Sequence, residues 1–234
     1  MRFWLDFAEG PMFRFCFLVM VLGLARLVVL AVRSISRMKA RTPDKSSDYW
    51  ALFVAGLKWL WPRRWLMVER AHYTAASVIF HIGLVLVPIF FLPHITLWRE
   101  GIGFGWPNVN ALAADVMTLM TITAGIVLVV LRATDKGSRR MSHPEDWLLT
   151  PLCVIVFVSG YLAAHPTTSP LSYDTMRLIH VLAGNVILFI IPFTKLSHIV
   201  MLPFTHIITD LSWKFVPGVG EKVRVAIGHK DRPI

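Results

Sequence analysis

Four of the nine histidines lie inside long apolar stretches, where an ionisable side chain is costly and usually functional. His81 and His94 share one stretch, and His180 and His198 share another, 18 residues apart. On an uninterrupted α-helix, 18 residues are five whole turns, which places both side chains on one face about 27 Å apart. These two imidazoles cannot bind one ion together, but each can supply an axial ligand to a separate planar cofactor. Haem b fits this spacing, because ligation of its iron by two neutral imidazoles favours electron transfer over oxygen chemistry.

The pairing of the histidines follows from helix direction. If the second apolar stretch runs outward and the fifth runs inward, His81 meets His198 near the cytoplasm and His94 meets His180 near the outer face. The alternative for any one of them is a simple hydrogen bond across a helix pair. Four histidines on two helices at paired depths favour the ligand interpretation, because an unpaired polar group in hydrocarbon is costly.

The spacing of His81 and His94 is less regular, since 13 residues are about 3.6 turns and direct the two side chains apart on an ideal helix. Pro88 and Pro93 are expected to re-aim the chain, because proline kinks a helix. His72 is the alternative to His94, since 22 residues return to nearly the same face, although its position beside Arg70 is typical of a solvated residue.

The elements that must position these histidines are membrane helices. The chain has 234 residues, of which 56% are hydrophobic and 16% are charged, a composition that indicates lipid as the solvent. A membrane crossing needs about 20 apolar residues. The sequence therefore predicts an all-α fold, a single membrane domain over 1–234 with a cytoplasmic tail at 204–234 and five spans, at about 11–32, 71–97, 109–131, 147–164 and 176–203.

The net charge of +10 does not indicate nucleic-acid binding, because of where the basic residues lie. Of the 24 lysines and arginines, 18 fall between spans one and two, between spans three and four, or in the tail. The positive-inside rule then predicts an N-terminus outside and a cytoplasmic C-terminus. The segment Trp50–Val68 is apolar but interrupted by charge, so we predict an interfacial helix there.

Other residues receive simpler interpretations. Cys16 and Cys153 are isolated within spans, which argues against a disulfide or a thiolate metal site. The fourth span, 147–164, carries no charge at all and is assigned to packing. Four more histidines lie in loops or at span ends and are expected to be solvated or interfacial: His143, His165, His206 and His229.

Several motifs resemble the gamma-subunit family of respiratory nitrate reductase, which includes membrane subunits of related redox complexes in sulfate reducers and methanogens. The motifs are Phe80-His81-Ile82-Gly83, Met176-Arg177-Leu178-Ile179-His180, and Pro192-Phe193-Thr194-Lys195-Leu196-Ser197-His198-Ile199. The resemblance covers all five spans in order. It implies a dihaem cytochrome b of a prokaryotic cytoplasmic membrane, an electron-transfer subunit with no complete active site of its own.

The resemblance also implies partners, which are a cytoplasmic iron-sulfur subunit and, outside, either a multihaem cytochrome c or menaquinol. The chain departs from the nitrate-reductase pattern at Phe91, where that pattern has its second ligand, so His94 is expected to substitute. The lysine associated with quinol binding is also missing from Trp106–Asn110, which favours the cytochrome c branch. The rival prediction is a haem-free membrane anchor or a quinone-binding subunit.

Four further side chains are assigned to the same chemistry. Arg177, Lys195 and Arg26 are candidate partners for haem propionates, because arginine pairs with carboxylates and the charge needs compensation in a low dielectric. Snorkelling to the surface is the alternative for Lys195. Asp115 is a candidate proton acceptor from quinol, with a helix-to-helix hydrogen bond as the equal alternative.

Overall fold

In the computed structural model, the described part of the chain comprises residues 1–42, 48–58, 68, 70–213, 218–226 and 228. These residues are predominantly helical and contain no strand, which confirms the all-α prediction for the described ranges. The α-helices in chain order are α1 (Arg2–Phe7), α2 (Phe13–Arg41), α3 (Tyr49–Lys58), α4 (Ala71–Phe90), α5 (Leu92–Ile102), α6 (Ala111–Thr134), α7 (Lys136–Met141), α8 (Pro144–Ala164), α9 (Tyr173–Ile190), α10 (His198–Trp213) and α11 (Val219–Ala226).

Five helical segments of the described chain are long and apolar enough to cross a membrane: Arg2–Arg41, Ala71–Phe90, Ala111–Thr134, Pro144–Ala164 and Tyr173–Phe193. The protein is therefore a multi-pass membrane protein, as the composition predicts. The first segment is longer than the predicted 11–32, because α1 and α2 are joined by a π-helical turn at Ala8–Met12 that contains Pro11. The orientation of these helices in the membrane stays a prediction.

Two of the predicted spans are interrupted. The second breaks at Phe91, whose backbone is extended (φ −79°, ψ 130°). Helix α5 then begins with Pro93 in its first turn, where proline is tolerated because backbone N–H groups at that position have no partner within the helix. The predicted fifth span, 176–203, ends as an α-helix at Ile190 and continues through two short 3₁₀ segments, Ile191–Phe193 and Lys195–Ser197.

This second interruption corrects the sequence argument about spacing. His180 lies on α9 and His198 begins α10, so the five uninterrupted turns assumed between them do not exist. Pro192 cannot donate a helical hydrogen bond, and Thr194 is extended (φ −128°, ψ 179°), which accounts for the break. Helix α10 also runs to Trp213, through the predicted start of the tail at residue 204.

Where the sequence predicts one domain, the chain divides into two compact units, Met1–Cys16 with Arg64–Ile187, and Phe17–Arg63 with Leu188–Ile234. The first unit has a core where α4, α6 and α8 pack, built on Ala76, Phe80, Ala124, Leu128 and Cys153. Gly83 permits the close approach of α4 and α6, since a Cβ there would lie 1.6 Å from Thr121 Oγ1. This glycine therefore serves helix packing.

The second unit has its own small core. Leu52 of α3 packs with Ile207 and Leu211 of α10, and Gly56 lies against the backbone of Pro203. Helix α3 covers only the first part of the predicted interfacial segment; residues 59–67 and 69 lie outside the described ranges, so that prediction remains untested.

Candidate functional site: two facing imidazoles beside a cavity

His94 and His180 lie opposite each other within the first unit. Their ring centroids are 6.0 Å apart and their ring planes are inclined by 23°. His94 is the third residue of α5, immediately after the break at Phe91, and His180 lies in the middle of α9. The pairing predicted from helix direction is thus present as a spatial contact, and the helix that carries His81 ends before the helix that carries His94 begins.

The Nδ1 atoms of both rings face backbone carbonyl groups. His180 Nδ1 lies 3.0 Å from Val156 O, and His94 Nδ1 lies 3.4 Å from Val87 O, a longer contact. A carbonyl oxygen only accepts, so Nδ1 is the atom that carries the proton and Nε2 keeps its lone pair. Metal-ligating histidines are commonly fixed in this way by a backbone carbonyl on the nitrogen that does not bind metal.

Helix α8 forms the wall behind His180. Ser159 Oγ lies 3.4 Å from His180 Nδ1 and donates to Val156 O at 3.0 Å. At Gly160, a Cβ would lie 2.8 Å from His180 Cε1 and 3.0 Å from Nδ1. The span that the sequence leaves to packing therefore contacts a predicted ligand. A glycine on an otherwise apolar helix carries no local signal of that contact.

A cavity of about 400 Å³ borders both histidines. This volume lies in the usual range for ligand sites, about 300–1,000 Å³. Its apolar lining includes Val87, Phe91, Phe157 and Val181, and its ionisable lining comprises Glu9, Glu100, Asp115, Tyr161, Tyr173 and Arg177 together with the two histidines. The cavity is therefore lined by the two imidazoles, by apolar side chains and by several ionisable side chains.

Asp115 has a partner that the sequence did not suggest. Its Oδ2 lies 3.3 Å from Nε2 of His165, which the sequence predicts to be solvated or interfacial. The His165 ring also stacks on Tyr161, with centroids 4.3 Å apart, and its Nδ1 faces Tyr161 O at 2.9 Å. Asp115 lies on α6 and His165 directly follows α8, so this close polar contact links two helices. This contact agrees with the helix-to-helix alternative, and Asp115 itself also lines the cavity, so its role as a proton acceptor stays a prediction.

Arg177 forms a two-point ion pair with Glu9. Its Nε and Nη2 atoms donate to the two carboxylate oxygens at 2.6 and 2.9 Å. About two helical turns further along α9, Asn185 is buried and donates to Ala8 O at 2.9 Å. The π-helical turn at Ala8–Met12 therefore contacts α9 at two positions, Arg177 and Asn185. The structure pairs Arg177 with Glu9. That Arg177 also pairs with a haem propionate stays a prediction.

The other predicted site residues are placed separately. His81 lies on α4 in the first unit, with Nδ1 2.7 Å from Ser77 O, and His198 lies in the second unit, with Nδ1 2.7 Å from Lys195 O. In both rings Nδ1 faces a backbone carbonyl, as in His94 and His180, and the pairing of His81 with His198 stays a prediction. Arg26 and Lys195 are exposed residues of the second unit, and His72 is exposed on the first turn of α4.

A search of known proteins gives one informative relative. The chain is 31% identical over 199 residues to a protein of Nitratidesulfovibrio vulgaris strain Hildenborough whose name records no activity. The match covers 83% of this chain and 87% of the relative. No family model matches the sequence, and no solved structure matches it.

Proposed function

We propose that this chain, which belongs to one family with the Nitratidesulfovibrio vulgaris protein, is a membrane-embedded cytochrome of the b type. The observation that carries the proposal is the opposition of His94 and His180, with ring centroids 6.0 Å apart beside a cavity. Electron transfer across the membrane is the function that this arrangement supports best.

The separation of the two rings suits one metal ion between them. Metal–imidazole bonds are about 2 Å long, so two imidazoles on opposite sides of an ion have centroids about 6 Å apart. Ordinary aromatic pairs also reach such distances. The more specific support is the Nδ1 contact of each ring with a backbone carbonyl, which leaves Nε2 as the ligating atom.

Haem b held by these residues would supply a one-electron couple between ferric and ferrous iron. His94 and His180 would both hold the haem iron and so leave no place on the metal for oxygen or substrate. His81 and His198 are the proposed ligands of a second, cytoplasmic haem. Arg177, Lys195 and Arg26 are the proposed counter-charges for propionates.

The surrounding complex is proposed from the sequence resemblance. Electrons would enter at the outer haem from a multihaem cytochrome c or from menaquinol, and leave to a cytoplasmic iron-sulfur subunit. The membrane would be the cytoplasmic membrane of a prokaryote. This chain would then be the conduit, and the substrate chemistry would belong to its partners.

Quinol oxidation is a second candidate for the outer reaction, and one contact favours it. A quinol releases protons as well as electrons, whereas a cytochrome c releases only an electron. The cavity that borders His94 and His180 is also lined by Asp115, whose Oδ2 lies 3.3 Å from Nε2 of His165. A proton acceptor is therefore present beside the proposed electron acceptor.

Spectroscopy of the purified protein tests the proposal. A reduced-minus-oxidised spectrum should show b-type bands, and pyridine haemochrome quantification should give about two haems per chain. His94→Ala and His180→Ala should each remove one haem or convert it from low to high spin, whereas His72→Ala should leave both unchanged. A folded wild-type protein without haem after expression with haem supply would favour the rival, a haem-free anchor or quinone-binding subunit.

A further inference from the structure

We infer that the fourth membrane helix, α8, positions the imidazole of His180 through a single turn, Val156 to Gly160. Gly160 would be a positioning residue because it has no side chain, and Val156 and Ser159 would orient the ring from the same turn. This inference rests on the proposed function, because the imidazole needs a fixed direction only if it binds a metal.

The shape of α8 at this turn supports the inference. A Cβ at Gly160 would lie 2.8 Å from Cε1, 3.0 Å from Nδ1 and 3.5 Å from Nε2 of His180. Real Cβ atoms essentially never come within 3.0 Å of a neighbour, so any side chain at position 160 would push the ring several tenths of an ångström toward the cavity. The ring therefore lies against backbone that is accessible at this position only because residue 160 is glycine.

Hydrogen bonds fix the rotation of the same ring. Nδ1 donates to Val156 O at 3.0 Å, and Ser159 Oγ lies at 3.4 Å from the same nitrogen. The Ser159 hydroxyl also donates to Val156 O, so the carbonyl and the hydroxyl form one acceptor site. Together the contacts set both the position and the tautomer of the imidazole.

The chain contains a matched control on the helix that carries His180. Gly184 has nothing within 4 Å of the position that a Cβ would occupy. Alanine at 184 and alanine at 160 add the same methyl group to membrane helices of the same unit, but only the second meets the imidazole.

The test compares Gly160→Ala with Gly184→Ala in the full-length, haem-loaded protein. We expect Gly160→Ala to weaken binding of the outer haem by about tenfold or more, the usual cost of losing support around a metal ligand, and to diminish its low-spin electron paramagnetic resonance signal. Gly184→Ala should keep the wild-type signal. An unchanged signal and unchanged haem affinity in folded Gly160→Ala would overturn the inference while leaving the proposed function standing.

A second variant keeps the test decisive if Gly160→Ala does not fold. Ser159→Ala removes the hydroxyl contact and adds no atoms, so it should fold and alter the g-values of the outer haem without altering those of the inner haem. An unchanged outer signal in this variant would overturn the inference. If the wild-type protein itself binds no haem, the proposed function fails instead, which distinguishes the two failures.

Discussion

His165 Nε2 lies 3.3 Å from Asp115 Oδ2, so an imidazole at the end of α8 is in close polar contact with a carboxylate of α6 that lines the cavity. The side chains are about one-third exposed, which leaves the pair open to exchange protons with its surroundings. Tyr161 stacks on the imidazole and holds it over the end of α8.

If this pair accepts protons from a quinol, Asp115→Asn should slow reduction of the haem by menadiol by about 100-fold or more, the usual contribution of general base catalysis. Reduction by dithionite, which needs no proton acceptor, should keep its wild-type rate. Stopped-flow absorbance at the b-type bands measures both rates. Asp6→Asn is the matched control, because Asp6 is exposed on α1. Equal menadiol rates in Asp115→Asn and wild type would favour a cytochrome c donor.

The ion pair of Glu9 and Arg177 should contribute to stability. Glu9→Gln should lower the free energy of unfolding by about 0.5 to 1 kcal/mol, since the arginine side chain is 41% exposed and solvent screens the pair. Arg177→Lys should lose part of the same contribution, because lysine cannot form the two-point contact. A double-mutant cycle with Glu9→Gln and Arg177→Gln, measured by denaturant titration in detergent, isolates the coupling; purely additive effects would contradict it.

The contact of His94 with His180 could be predicted from the sequence because it depends on few assumptions. Two neighbouring membrane helices of opposite direction bring residues of equal depth together, and the contact of His94 with His180 agrees with that expectation. The Phe91 break also explains why an irregular spacing of 13 residues from His81 is compatible with a facing ligand. His72 and His94 were open alternatives, and only His94 contacts His180 among the contacts described.

The rest depended on information that the local sequence does not carry. Gly160 contacts His180 because it lies on the side of α8 that faces α9. Helix α8 is almost wholly apolar, so its sequence has no polar and apolar pattern that would indicate which side faces α9. Glu9 meets Arg177 across 168 positions of the chain. The break after Ile190 is different, because the sequence does indicate it. Pro192 disfavours a continuous helix, whereas the prediction of five whole turns between His180 and His198 assumes one.

The contact of α4 with α6 makes Gly83 sensitive to substitution. Gly83→Ala would place a methyl group 1.6 Å from Thr121 Oγ1, which forces the two helices apart, so we expect a loss of about 1–3 kcal/mol in the free energy of unfolding. Gly184→Ala should be neutral or slightly stabilising, since it meets nothing and alanine favours a helix. Thermal unfolding in detergent compares the variants, and equal midpoints would show that the two helices do not meet at Gly83.

The predicted orientation can be tested with single cysteines. Cys16 and Cys153 are the only native cysteines and both are buried, at 4% exposure each, so they should give little background. Thr167→Cys, between α8 and α9, should react with a membrane-impermeant maleimide added to intact cells, because the positive-inside rule places that loop outside. Lys136→Cys, on the other side of α8, should react only after the membrane is opened. Both positions are exposed in the structure, so a difference in labelling reports sidedness. The reverse labelling pattern would place the N-terminus inside. The pair of His94 and His180 would then lie near the cytoplasm, and a haem bound there would have to exchange electrons with a cytoplasmic partner.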